Sequence, residues 1–75
     1  MHVRAQGHLK HFRPDGQERF TVELPDGATV RALIEVSGVP WEEIGLVAVN
    51  GAQAQDEQIL ADGDDVMLLA PMEGG

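Results

Sequence analysis

Two early stretches of the chain alternate. Val3 and Ala5 are flanked by the polar His2, Arg4 and Gln6, which predicts a strand over residues 1–7. Phe20, Val22 and Leu24 alternate with Arg19, Thr21 and Glu23, which predicts a second strand over residues 19–24. Residues 8–17 between them are mostly polar and contain the turn sequence Pro14-Asp15-Gly16. Proline presets φ there and glycine permits φ > 0. Leu9 and Phe12, three apart, are placed to dip into the core as a short helical piece. The two strands read as an antiparallel hairpin with a long connection.

The period then changes. Pro25-Asp26-Gly27 breaks the strand, and Thr29 can cap a helix with its hydroxyl. Val30, Leu33 and Ile34 form one apolar stripe at helical spacing. Gly38 suits the position just past the helix, and Pro40 forbids continuation. A helix of about ten residues is too short to be stable alone, so it must lie across a sheet. Residues 41–44 predict a 3₁₀ or irregular turn, with Trp41 as a partial core plug at the helix end. The apolar run Leu46–Val49 ends in the tight-turn pair Asn50-Gly51. The polar stretch 52–59 leaves room for a short edge strand at Ala52–Ala54, residues 60–64 form a second turn, and 66–70 form the last strand. The sum is an α+β roll, a mixed sheet of four or five strands with one helix across it. It occupies residues 1–70 and leaves 71–75 as a flexible tail. In this fold class the first and last strands lie side by side in the centre.

Composition narrows the function. Seventy-five residues make one domain. The absence of cysteine excludes a disulfide framework and a thiolate nucleophile. No long apolar run or leader is visible, so the expectation is a cytoplasmic protein with no membrane contact. Net charge is −8, and all five bases lie in the first 31 residues, with nine acids after Arg31. Nucleic acid is disfavoured as a partner, because phosphates need a basic stripe. His8 and His11 lack further ligands for a metal site. Asp62, Asp64 and Asp65 lack calcium-loop spacing and read as a solvated turn. No metal is expected.

The last residues are Pro71-Met72-Glu73-Gly74-Gly75. Two glycines give the thinnest backbone available, and the Gly75 α-carboxylate is the distinctive group on it. Such a stem can thread into another protein's active site. On the last strand Val66, Leu68 and Ala70 share one face while Met67 and Leu69 share the other. Val47 and Val49 face the core and Ala48 faces outward. Outward Ala48, Met67 and Leu69 beside the tail form a candidate docking surface.

Several of these segments, in order, resemble the ThiS/MoaD sulfur carriers, which are ubiquitin-like β-grasp proteins. They are Gly7-His8-Leu9, Leu24-Pro25-Asp26-Gly27-Ala28-Thr29-Val30, Val49-Asn50-Gly51, Leu60-Ala61-Asp62-Gly63-Asp64-Asp65-Val66 and the Gly-Gly end. The likeness covers essentially the whole chain. Ala70-Pro71-Met72-Glu73-Gly74-Gly75 is similar to the MoaD branch ending, with Ala70 where that branch usually has a proline.

The resemblance implies a protein co-substrate rather than an enzyme, such as the small subunit of a molybdopterin-synthase-like sulfurtransferase. An adenylating enzyme uses ATP-Mg to activate the Gly75 carboxylate. A sulfur donor then converts it to a thiocarboxylate, which an acceptor synthase subunit consumes. Molybdopterin or tungstopterin biosynthesis is the favoured pathway and thiamin thiazole the next. Gly74 and Gly75 carry the chemistry, and Ala48, Met67, Leu69, Pro71, Met72 and Glu73 meet partners. The free chain is expected to be monomeric. Two other classes stay open: a ubiquitin-like modifier conjugated through Gly75, and a non-catalytic β-grasp interaction module.

Overall fold

Every strand but the last is three or four residues long, so none could persist alone, and the sheet they share holds them. The computed structural model describes residues 1–71. In chain order the elements are β1 (His2–Ala5), a 3₁₀ helix (Gly7–Phe12), β2 (Arg19–Thr21) and α1 (Val30–Ser37). A 3₁₀ turn (Trp41–Glu43), β3 (Leu46–Val49), β4 (Ala52–Ala54) and β5 (Asp65–Leu69) follow. The sheet order is β2-β1-β5-β3-β4. β1 and β5 run parallel side by side in the centre, and the other neighbours are antiparallel. The fold is a mixed five-stranded sheet with one helix.

Alternation puts one face of this sheet in the core. Val3 and Ala5 of β1, Val47 and Val49 of β3, Ala54 of β4, and Val66 and Leu68 of β5 are all buried. Val30, Leu33 and Ile34 bring the helix stripe into the same cluster. The Thr29 hydroxyl accepts from the Ala32 N–H at 3.2 Å, and Gly38 leaves the helix at φ 87°. The next orphan amides do not face water. Val30 N–H donates to the Gln58 carbonyl at 2.9 Å and Arg31 N–H to the Asp56 carbonyl at 3.0 Å. This explains the weakly patterned stretch after β4: it serves the helix N-terminus. Leu60, read as part of a turn, is buried in the core.

Among the described residues, Ser37 is the one buried polar residue of the core. Its hydroxyl donates to the Ile34 carbonyl at 2.6 Å and accepts from the Val39 N–H at 3.2 Å. Arg13 reaches the same helix end. It donates to the Ser37 carbonyl at 2.6 Å, and its guanidinium lies 3.8 Å from the Phe20 ring centroid.

Three readings need correction. The second strand pairs over Arg19–Thr21 only, although Val22 N–H still bonds the Met1 carbonyl at 3.0 Å. Leu9 is fully buried but Phe12 is 38 % exposed, its ring set edge-on to His8 at 6.3 Å between centroids rather than in the core. Trp41 is no core plug. It is 47 % exposed, with the Arg31 guanidinium 5.5 Å from its ring centroid.

The acidic turn before β5 fastens the two turns at one end of the sheet. Asp64 accepts from the Ala61 N–H at 2.8 Å and from the Asn50 amide at 3.0 Å, while the Asn50 carbonyl oxygen accepts from the Asp65 N–H at 2.9 Å. These donors, the Ala61 N–H first and the Asn50 amide second, hold the Asp64 carboxyl below its ordinary range. A depressed folded-state pKa contributes stability that is complete above about pH 4, the unfolded value, and fades as pH falls through the folded one. Asp64→Ala is therefore expected to lower Tm at neutral pH, and its deficit against wild type should shrink on acidification. Melts across the acid range check this, and a deficit that persists unchanged at the lowest pH would contradict it.

Candidate partner-docking face and chain exit

Alternation that buries one set of side chains leaves the other on an uncovered face. The register lines five of them in a single row across all five strands: Arg19, Arg4, Met67, Ala48 and Gln53. A second row holds Thr21, His2 and Asp65, and a third pairs Leu69 with Leu46. Met67, Leu69, Ala48 and Leu46 are each half-buried. The face therefore carries an apolar centre on β5 and β3 and a basic side on β1 and β2. The Gln6 amide lies 3.7 Å from the Met67 sulfur and covers part of it. The structure thus brings together three residues singled out from the sequence, Ala48, Met67 and Leu69, on one face with the predicted inside-outside sense.

β5 runs from this face into Ala70 and Pro71. Gly45 N–H donates to the Leu69 carbonyl at 2.8 Å, fixing the strand just before the exit. A Cβ on Gly45 would lie 2.5 Å from Pro71 Cα and 2.8 Å from Pro71 N. Backbone passes backbone here, and only glycine leaves the space. Sequence reasoning missed this residue, although a lone glycine at the start of an apolar run is a signal of close approach. Gly45→Ala is expected to displace residues 70–71 and cost about 1–3 kcal/mol through overpacking. Chemical denaturation measures the loss, and a fully stable variant would show that the two segments part without cost.

Pro71 is exposed. Met72, Glu73, Gly74 and Gly75 lie outside the described residues, so the expected carboxylate chemistry and the remaining tail contacts rest on sequence alone. His8, weighed and set aside as a ligand, lies 3.3 Å from Glu43, and among the described residues no three His, Asp or Glu side chains gather as a metal cluster. No helix is long and apolar enough to cross a membrane among the described residues.

Comparison with known proteins fits this geometry. The Mut7-C ubiquitin family matches residues 1–73. No curated protein matches the chain. Among solved structures, the putative molybdopterin converting factor subunit 1 from Pyrococcus furiosus is 27% identical, with TM-score 0.75 and 95% of each chain covered. A complex of subunits 1 and 2 of molybdopterin-converting factor from Helicobacter pylori contains a chain 28% identical. Its TM-score is 0.63, with 99% of this chain and 96% of that one covered. Small archaeal modifier protein 1 from Haloferax volcanii, at 24% identity and TM-score 0.76, covers 100% of this chain and 98% of its own and shares the fold. The chain belongs to the Mut7-C ubiquitin family and is a β-grasp protein of the ThiS/MoaD type.

Proposed function

We propose that the chain is a sulfur carrier, a protein co-substrate whose Gly75 carboxylate is adenylated by a partner enzyme and then converted to a thiocarboxylate. The observation that carries this reading is the central strand β5, which ends at Leu69 and leads through Ala70 past Gly45 to Pro71, four residues before Gly75. Molybdopterin-type cofactor biosynthesis is the favoured destination, supported by the two molybdopterin converting factor chains above 25% identity. An acceptor synthase subunit is the partner that the Helicobacter complex suggests.

The chemistry asks little of the carrier's own side chains. A carboxylate is a poor electrophile until one oxygen becomes a good leaving group. Attack of the Gly75 carboxylate on the α-phosphorus of ATP expels pyrophosphate and leaves an acyl-adenylate. The activating enzyme supplies magnesium and the cationic groups that stabilise this transfer. The terminal sulfur of a persulfide donor then attacks the acyl carbon and AMP departs. A second thiol cleaves the resulting S–S bond and frees the thiocarboxylate. The carrier contributes a narrow stem, a free carboxylate and a docking face that holds the stem in place.

Incubation with the adenylating enzyme and ATP-Mg tests the first step. Pyrophosphate exchange that depends on Gly75 is expected. A Gly75-independent rate would overturn the proposal. Conjugation to lysines of other proteins, the modifier reading, would appear as isopeptide-linked products instead.

A further inference from the structure

The two arginines of the open face make no side-chain bond that would explain their placement among the described residues. Arg4 and Arg19 sit directly opposite each other on β1 and β2. Like charges so placed weaken a strand pair. Neither guanidinium has an ion pair or a hydrogen-bond partner among the described residues. Asp65 stands on the same face, one row away, and leaves both unpaired. The protein has only five Lys and Arg against thirteen acids, yet two of the five are adjacent here. They border a shallow groove of about 770 Å³ whose other lining residues include His2, Ala48 and Met67.

We propose that the Arg4–Arg19 pair receives a carboxylate-bearing segment of the adenylating partner, which lies across the open face with its apolar side chains over Met67 and Ala48. This rests on the carrier reading for the identity of the partner. Charge complementarity and the register carry the rest. A row that passes from two cations to Met67 and Ala48 fits acidic side chains next to apolar ones. It fits a polyanion poorly, because the net charge of −8 would repel repeated phosphates. The arginines thus select the partner, while the apolar centre adjoins them across the sheet and leads along β5 to the chain exit.

The test measures binding of the adenylating enzyme to wild type, to an Arg4→Gln/Arg19→Gln double variant and to an Arg4→Glu/Arg19→Glu one. Melting curves check that each is folded; the Gln pair removes a repulsion and should fold at least as well as wild type. The expected result is affinity weakened about ten-fold or more, with charge reversal worse than neutralisation and both deficits shrinking in high salt. The deficit should fall on KM for the carrier much more than on kcat. Full adenylation with unaltered Kd in the folded variants would overturn the inference and leave the carrier reading standing. An enzyme that neither binds nor adenylates wild type would overturn both. Saturable shifts of the Arg4 and Arg19 side-chain resonances with inorganic phosphate alone, with enzyme affinity unaltered in the variants, would reassign the pair to a small anion.

Discussion

Leu68→Ala is expected to lower the free energy of unfolding by about 2–5 kcal/mol. Leu68 is fully buried on β5, flanked by β1 and β3, where its side chain enters the cluster shared with Leu33 and Ile34. Truncation there removes apolar burial and leaves a cavity that a short, tightly paired strand cannot collapse around. In a domain of 75 residues such a loss can consume much of the total stability. Leu69→Ala is the matched control. Its side chain is on the open face, half-buried beside Leu46, so the cost should be below about 1 kcal/mol. The two variants should diverge oppositely in binding: Leu69→Ala weakens docking to the adenylating enzyme, whereas folded Leu68→Ala retains it. Urea melts and titration calorimetry on the pair decide this, and equal stability losses would mean that the two faces of β5 are not distinct.

One residue appended after Gly75 is expected to abolish adenylation outright while leaving stability and partner docking intact. The reacting carboxylate would then sit a full residue too far along the stem, and misplacement on the order of 1 Å already costs about 100-fold in a positioned reaction. The docking face, built from β1, β2, β3 and β5, is untouched by the change. Loss of docking along with activity would show that the tail itself, rather than the sheet, supplies the binding energy. Retained activity would remove Gly75 from the chemistry.

Period and punctuation made most of the fold legible. Val3, Ala5, Val66 and Leu68 alternate, and their burial follows from that alternation alone. Thr29 and Gly38 bracket the helix as their chemistry dictates. Asn50-Gly51 closes the β3–β4 hairpin, with Asn50 at φ 52° and Gly51 at φ 85°. What the sequence hid depends on through-space partners. Trp41 stays outside, with the Arg31 guanidinium 5.5 Å from its ring centroid, while Ser37 and Val39 take the buried positions at the helix end, a choice no periodic pattern reports. Gly45 is explained only by the passage of Pro71 across it. The inward and outward sense of Ala48, Met67 and Leu69 was readable on each strand. Their alignment with Arg4 and Arg19 was not, because a row across five strands needs the register of four pairings at once.

The most direct test of the carrier chemistry is the intact mass of the protein after incubation with the adenylating enzyme, ATP-Mg and a persulfide donor. A single product heavier than the starting chain by the difference between one sulfur and one oxygen atom, with the change localised to Gly75 by fragmentation, is the predicted result. An unchanged mass, in a mixture where the enzyme demonstrably loads an authentic carrier, would contradict it.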